Sequence, residues 1–438
     1  MSKDCLVLGL ALAFEAVTHV SPILAQEEVK RPPVPFKSVV DAIKALEAPK
    51  YTGGYPSMPI SSTRSKSYLF FDFYETCPEA IDFLSRTTDC VEKDLLKLAQ
   101  SDTRFRVRYR AVRILAERGN AATVPFLDKW CASENVEECY LAWETYQRAI
   151  KDRKLSPPKN VTSHLALYAA EKDHKVREQI EWFLGAVKAK AAVKPLIETV
   201  KTNPGGALPA IWALGEIGDK NAVPVIIAAY GKGYNDHYHV EALGKLATPE
   251  AVDFLIEHID RFLALETLVC TGSPKALPAL EEHLENLKKQ DRKDKASDVA
   301  SARIAVIRLR EKDPRNALVK IAEDQKEDGC LRHDALWALQ DYDTTPYQRR
   351  ILAIYIHDPN EDHKRFCIWL LKASDLEGVT EAMIDHALHL PKVESKSDLA
   401  TRHYLRLTLN ERLGTYFKEM KDLQAYLRQL GKEEAGKK

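Results

Sequence analysis

One sequence phrase recurs along the chain, and this repetition constrains the fold more than any other feature. The segment "IWALGEIGDKNAVPVIIAAY" (211–230) has counterparts before and after it that share one leucine, here called the anchor. In chain order the anchors are Leu115, Leu184, Leu214, Leu243, Leu268, Leu309, Leu339 and Leu371. From Leu184 onward they lie about 30 residues apart on average, a period typical of one helical hairpin per repeat.

Two further columns of this alignment behave as packing positions. Four residues before the anchor, the side chains are small or apolar except at His239. Three residues before it, they are apolar except at Glu181. Together with the anchor these columns form an amphipathic stripe at helical spacing. A turn rich in Gly, Asp or Asn then leads into a second apolar helix, whose prolines suit a first helical turn. The pattern predicts an all-α solenoid of stacked helical hairpins.

The repeats resemble a known family. The segments "DHKVREQIEWFLG", "EDGCLRHDALWAL" and "IWALGEIGDKNAVPVII" are similar to HEAT-like repeats of the phycobilin-lyase type. The matching features are an acidic residue before Val176-Arg177, its equivalent at Leu331-Arg332, and the "ALGxxGDxxAVP" core at Ala213 to Pro224. The resemblance covers about two thirds of the chain. It implies an α-solenoid that holds a protein or a ligand on an extended concave surface.

The sequence divides into four parts. We predict a signal peptide over 1–25, a linker and N-terminal cap over 26–95, a repeat solenoid over 96–390, and a C-terminal helical cap with a charged tail over 391–438. Both caps are atypical, as the ends of a solenoid must be to cover its last apolar faces. A degenerate hairpin is expected between the first two anchors, and a polar insertion or helix extension around "ENLKKQDRKDKAS".

The first residues indicate export. Lys3 precedes the apolar run from Leu6 to Phe14, and "ILAQ" offers a cleavage site after Ala25. The alternative is a short N-terminal helix. No later stretch approaches the roughly 20 apolar residues of a membrane span. We therefore expect an exported chain, periplasmic or extracellular, with no membrane span.

Cysteine usage leaves two interpretations open. In an oxidising compartment Cys77 can pair with Cys90, and Cys131 with Cys139, although spacing does not fix the connectivity. Burial as small apolar thiols is favoured for Cys131 and Cys367, because Cys367 falls in the small-residue column.

Overall charge argues against one class of partner. Lys plus Arg and Asp plus Glu both total 64, so the formal net charge is zero. Nucleic-acid binding depends on an excess of basic groups that neutralise phosphates. We therefore expect no nucleic-acid partner.

No motif in the sequence requires catalysis. A HEAT-repeat hydroxylase resembling deoxyhypusine hydroxylase needs several His and carboxylate ligands in one helical column, and only His333-Asp334 fits that column. Asp236, His237 and His239 cluster like metal ligands, but helical spacing points the two histidines in different directions and favours a hydrogen-bonded core or loop role for His239. We predict no enzyme, no cofactor and no metal. A bilin-lyase-like protein or a metal-dependent HEAT-repeat enzyme is the alternative.

The candidate binding residues form a column in the second helices, fourteen residues past the anchors. Five of the eight positions are acidic, and three of these are followed by His. This acidic column consists of Glu198, Glu257, Glu282, Glu323 and Asp385. The resemblance places second helices on the concave face, where such a column can address a basic partner or a cation. The alternative is the ordinary solvent face of amphipathic helices. The predicted function is an exported scaffold that binds a protein partner on its concave face.

Overall fold

The computed structural model describes residues 39–47, 84, 91–233, 236–261, 263–291, 295–390, 396–415, 417 and 419–435. Within these ranges the chain forms 22 α-helices and no strands, which confirms the prediction of an all-α solenoid. The predicted signal peptide and the Cys77–Cys90 pair lie outside the described residues. Among the helices that the structure describes, none combines the length and the apolar content that crossing a bilayer requires.

The helices fall into two compact units, and the first comprises residues 35–276. Its helices are α1 (Val39–Glu47), α2 (Glu92–Ser101), α3 (Phe105–Glu117), α4 (Val124–Cys131), α5 (Val136–Lys151), α6 (Thr162–Ala170), α7 (His174–Ala186), α8 (Val193–Thr202), α9 (Leu208–Ile217), α10 (Val223–Ala229), α11 (His237–Leu246), α12 (Pro249–Glu257) and α13 (Ala264–Thr271). The hairpin α5–α6 fills the long step between the first two anchors, as the sequence predicted.

The described helices of the second unit follow residue 276. They are α14 (Ala276–Lys289), which begins at the boundary, α15 (Ala296–Arg310), α16 (Arg315–Glu323), α17 (Gly329–Ala338), α18 (Gln348–His357), α19 (Glu361–Leu371), α20 (Val379–Leu388), α21 (Lys396–Leu413) and α22 (Met420–Ala435). The last two form a further hairpin, in which α21 packs on α19 and α22 on α20. The polar insertion lengthens α14, as one of the two expectations for it had proposed.

Side-chain caps mark the start of five of the described α-helices. Asp173 accepts hydrogen bonds from the backbone N–H groups of Lys175 and Val176, and Asp328 accepts one from Cys330. These are the acidic residues that precede Val176-Arg177 and Leu331-Arg332, so their role in the repeat is helix initiation. The prolines of α9, α10 and α12 lie in first turns, which confirms that they mark helix starts.

Each repeat consists of a first helix that carries the anchor at or near its end and a second helix that follows it. First helices pack on first helices, as in α7, α9 and α11, and second helices pack on second helices, as in α8, α10 and α12. Every anchor except Leu309 is buried. The small-residue column is buried throughout, so the alignment correctly identified the core.

Glycine permits the closest approach between first helices in the first unit. The residue after the anchor is Gly185, Gly215 or Gly244 in three successive repeats. A Cβ at Gly215 would lie 2.8 Å from the Cα of Ala242 on the next first helix. A Cβ at Gly185 or Gly244 would be equally crowded by the following repeat. Real Cβ atoms do not approach so closely, so this position requires glycine.

A buried ion-pair cluster, here called the arginine clasp, joins neighbouring repeats in the second unit. Arg332 of α17 donates from Nε and Nη2 to the carbonyl of Ala322, at 3.0 and 2.9 Å, and its Nη2 pairs with Asp358. The ring of His363 lies between Asp358 (Nδ1 to Oδ2, 3.1 Å) and the carbonyl of Gly329 (Nε2 to O, 3.2 Å). The buried charge of Asp358 is thus matched by donors from two repeats, as such a charge requires.

The described cysteines that the sequence analysis considered are buried thiols. The Sγ of Cys139 donates to the carbonyl of Cys131 at 3.1 Å, and the two residues form no disulfide. Cys367 is fully buried beside the core of the second unit. The interpretation of Cys131 and Cys367 as small core residues is confirmed.

We expect Gly215→Ala to lower the free energy of unfolding by about 1–3 kcal/mol, the usual cost of overpacking a close helix contact. The matched control is Gly329→Ala in the first turn of α17, where an added Cβ meets nothing within 4 Å. That control should be neutral or slightly stabilising, because alanine favours the helical backbone. Urea unfolding followed by far-UV circular dichroism measures both, and equal stability of the two variants would contradict the close-approach argument.

Candidate functional site

The structure places all five residues of the acidic column on second helices, with exposed side chains. They occupy α8 (Glu198), α12 (Glu257), α14 (Glu282), α16 (Glu323) and α20 (Asp385). Glu198 and Glu257 belong to the first unit and the other three to the second. Whether the column binds anything stays a prediction.

Three of these carboxylates already have basic partners in the chain. Glu198 accepts from Lys201 Nζ at 2.7 Å, one turn along the same helix. Glu323 pairs with Arg350 of the next second helix at 2.6 Å, and Asp385 lies 3.1 Å from His389 Nδ1. Each partner offsets part of the charge that the sequence pattern alone would assign to the surface.

Glu257 and Glu282 differ from the other three. In the part of the chain that the structure describes, neither carboxylate has an ion-pair partner, and both side chains are exposed. Their charge is therefore directed to solvent. If the column binds a basic partner, these two positions have the least internal competition for it.

Two of the histidines that follow the column are engaged by their own neighbours. His258 Nδ1 lies 2.9 Å from the carbonyl of Phe254, and its ring stacks on the Phe254 ring at 4.2 Å between centroids. His386 is hydrogen-bonded through Nδ1 to the Tyr355 hydroxyl at 2.8 Å and through Nε2 to Glu361 at 3.1 Å. Across the described ranges, no group of three or more His, Cys, Asp or Glu is positioned to hold a metal ion.

A cavity of about 440 Å³ lies among α6, α7 and α8 in the first unit. It is open to solvent, since five of its nine lining residues are exposed. The lining residues are Leu165, Tyr168, Ala169, Arg177, Ala191, Pro195, Glu198, Thr199 and Thr202. Its volume lies within the range of small-molecule sites. Of the acidic column, Glu198 is the member that lines it.

A hydrogen-bonded network leads from this cavity to a buried carboxylate. The Tyr168 hydroxyl donates to Glu181 Oε1 at 2.9 Å and lies 2.7 Å from the hydroxyl of Thr199. The guanidinium of Arg177 lies over the Tyr168 ring at 4.6 Å and donates to Thr199 at 3.4 Å. Arg177 Nε is 3.8 Å from Glu181 Oε1. One guanidinium, one buried carboxyl group and two hydroxyls therefore meet beside the cavity.

Burial dominates the ionisation of this network. It raises the pKa of Glu181 to about 7, against the opposing effects of the Tyr168 hydrogen bond and the Arg177 charge. Burial likewise raises the pKa of Tyr168 to about 12. The sequence had shown Glu181 only as the exception in an apolar column. It gave no signal for Tyr168 or Thr199, because their contacts join different helices.

Comparison with known proteins identifies the repeat. A family model described as "PBS lyase HEAT-like repeat" matches residues 210–231, which include most of α9 and all of α10. The chain carries a HEAT-like repeat of the PBS lyase type. No curated protein matches the chain significantly. Among solved structures, the crystal structure of an engineered protein is similar over 79% of this chain and 99% of that chain, with 16% sequence identity and a TM-score of 0.25.

The helical repeats of the second unit also expose apolar side chains at one repeated position. Trp337 and Trp369 each lie two residues before an anchor, on α17 and α19. Leu407 occupies the same position before the buried Leu409 of α21. We call these three residues the apolar stripe; they are 46%, 38% and 38% exposed. Because α17, α19 and α21 pack side by side, the stripe runs across three neighbouring helices.

His239 departs from its predicted role. The sequence favoured a histidine with hydrogen-bonded ring nitrogens, and the structure does bury the side chain completely. Neither ring nitrogen has a hydrogen-bond partner within the described chain, and Nδ1 is 3.8 Å from Asp236. Burial lowers the pKa of His239, so the ring is held neutral against the edge of Tyr230.

The raised pKa of Glu181 predicts a pH-dependent stability. The folded chain holds this proton up to about pH 7, whereas the unfolded chain releases it near the ordinary glutamate pKa of 4.5, so stability falls as pH rises between these values. We expect Glu181→Gln to raise the free energy of unfolding at about pH 8 by up to roughly 3 kcal/mol, and to have no such effect at about pH 4.

Urea unfolding at several pH values measures this difference. Glu178→Gln on the same helix is the control, because its carboxylate is only partly buried and pairs with Lys175. A gain for Glu181→Gln that does not change with pH would contradict the buried, neutral carboxyl.

Proposed function

We propose that this chain is an exported repeat scaffold that binds a protein partner and has no catalysis of its own. The HEAT-like repeat match and the stacked hairpins support a structural repeat protein. Repeat arrays present extended surfaces on which many side chains contribute to one interface. Binding, export and the lack of catalysis are the parts of this proposal that the experiments below test.

The apolar stripe is the observation that carries the proposal. Trp337 and Trp369 are partly exposed at the same position of adjacent repeats, and the Lys372 ammonium lies 5.0 Å from the Trp369 ring centroid. Contiguous exposed apolar side chains mark interaction sites, and tryptophan is enriched at the centres of protein interfaces. The stripe therefore fits an apolar face of a partner protein.

The acidic column extends the proposal to the charge of the partner. Glu257 and Glu282 favour a partner that presents Lys or Arg, because their carboxylates are exposed and have no ion pair in the described chain. Glu198, Glu323 and Asp385 contribute less in this proposal, since a partner would first have to displace an internal base. Exposed pairs of this kind affect association rate and specificity more than affinity.

Export is supported by the sequence of residues 1–25, which lies outside the described residues. An apolar run followed by a small-residue cleavage site is typical of a secretory signal. The intact mass of the protein recovered from the envelope fraction of its host tests this directly. Cleavage after Ala25 supports export, and a full-length mass in the cytoplasmic fraction contradicts it.

We expect the double variant Trp337→Ala/Trp369→Ala to recover at least about tenfold less partner than the wild type, as truncating interface aromatic residues usually costs more than 1 kcal/mol each. The assay is affinity capture from the envelope fraction with quantitative mass spectrometry. Val136→Ala/Ile356→Ala is the control, because these side chains are 43% and 36% exposed and lie on α5 and α18, which carry no residue of the stripe. Equal recovery by the two double variants would contradict the stripe.

The acidic column has its own test in the same assay. Glu257→Gln/Glu282→Gln should weaken capture by about two- to tenfold, and more strongly at low salt, because exposed charges are screened. Helix content and thermal unfolding should stay unchanged. Glu311→Gln/Glu377→Gln removes the same charge from exposed positions outside the column. Unchanged capture by Glu257→Gln/Glu282→Gln would contradict a role for the acidic column in binding.

A stoichiometric metal or chromophore in the purified protein would contradict the proposed lack of catalysis.

A further inference from the structure

Four repeats have an arginine seven residues before the anchor: Arg108, Arg177, Arg261 and Arg332. Two of them, Arg177 on α7 and Arg332 on α17, also follow a capping aspartate by four residues, yet they meet different surroundings. Because the backbone of the repeat is the same, the two guanidinium groups leave equivalent points of their helices. A comparison between them shows what this position is built to bind.

The guanidinium of Arg332 is hydrogen-bonded within the arginine clasp. Its side chain is 8% exposed, with two donors on the carbonyl of Ala322 and one on the carboxylate of Asp358. Asp358 belongs to the loop that opens the following repeat. At this position, then, the second unit supplies an acceptor carbonyl from the preceding helix and a carboxylate from the following loop.

Arg177 lacks the carboxylate that the following loop would provide. The loop after α8, residues 203–207, reads "NPGGA" and contains no acidic residue. The Arg177 side chain is 38% exposed, its bond to Thr199 is long, and the charge beside it is Glu181 at 3.8 Å. A guanidinium can bind a carboxylate through two parallel hydrogen bonds, and nothing in the described first unit does so here.

The space that remains beside Arg177 is the cavity among α6, α7 and α8. Leu165, Ala169, Ala191 and Pro195 provide apolar surface, and Arg177 provides the cation. Glu198 also lines the cavity, but its carboxylate is paired with Lys201 at 2.7 Å. Apolar walls beside one fixed guanidinium suit a ligand that carries a carboxylate on an apolar stem. Stacking on the Tyr168 ring holds the guanidinium in place before any ligand arrives.

We propose that this cavity binds a carboxylate carried on a small apolar group, paired with Arg177 as Asp358 is paired with Arg332. The carboxylate belongs either to a free organic acid or to the C-terminus of a peptide that ends in an apolar residue. This site is separate from the apolar stripe, and it does not depend on the scaffold having a protein partner.

Glu181 gives the site a pH dependence. The charged or titratable groups around it are Arg177 and Glu178 on its own helix and Tyr168 on α6. A ligand carboxylate on Arg177 repels ionised Glu181, so binding favours the protonated form. Affinity should fall as pH rises from about 6 to about 8, where the ligand itself stays ionised. Glu181→Gln should bind the ligand without this fall.

Isothermal titration of the full chain with 4-methylpentanoate tests the free-acid source. N-acetyl-Ala-Leu with a free C-terminus tests the peptide source, and its C-terminal amide is the control ligand. We expect at least one acid to bind and the amide to bind at least about tenfold more weakly, because the amide cannot form the charge-assisted pair. Arg177→Gln should lose about tenfold or more in affinity for the acid. Arg310→Gln, an exposed arginine of the second unit, should bind as the wild type does.

The two acids distinguish the two possible sources of the carboxylate. Binding of 4-methylpentanoate alone assigns the site to a free acid, and binding of the peptide acid assigns it to a C-terminus. If Arg177→Gln loses helix content, Arg177→Lys serves instead, and it should bind several-fold more weakly because an ammonium group cannot form the paired contact. Binding of neither acid, equal binding of acid and amide, or undiminished binding by the folded Arg177 variants would overturn the proposal.

Discussion

A helical hairpin cannot bury its own apolar face, so within each unit a repeat depends on close contact with its neighbour. Small side chains make that contact possible. In the first unit, Gly215 lets one first helix approach the backbone of Ala242 on the following helix, and the alanines of the small-residue column are buried beside it. The second unit adds the arginine clasp, which links neighbouring repeats through buried charge. The acidic column, the cavity and the apolar stripe all lie on helices that these contacts hold in place.

Because the repeats share one backbone pattern, the residues at one position can be compared from repeat to repeat. Most positions of a column have the same surroundings, and a residue that departs from the column therefore has a local cause. Glu181 is tolerated in an apolar column because its carboxyl group accepts a hydrogen bond from Tyr168 and lies 3.8 Å from Arg177 Nε. Arg177 departs from Arg332 because the loop after its repeat has no carboxylate. His239 shows the opposite case, in which a buried ring has no hydrogen-bond partner among the described residues and remains neutral.

The acidic column could be predicted from the sequence, whereas the apolar stripe could not. The acidic column was visible as a period, and the structure places its members on second helices with exposed side chains. The partner of Glu198 is one turn away and could be read from spacing, but Arg350 reaches Glu323 from the next repeat and could not. The apolar stripe was missed because tryptophan is expected in a core, and exposure is a property of the packed helices.

The sequence by itself determined the repeat, the all-α class, the anchors and most of the caps. These features follow from local periodicity and from backbone preferences of single residues, which are contained in short stretches of chain. The tertiary structure decided which charges are neutralised, where the cavity lies and which apolar side chains remain in solvent. Those properties depend on contacts between residues of different helices. One such contact joins Tyr168 to Glu181, and no spacing within a single repeat predicts it.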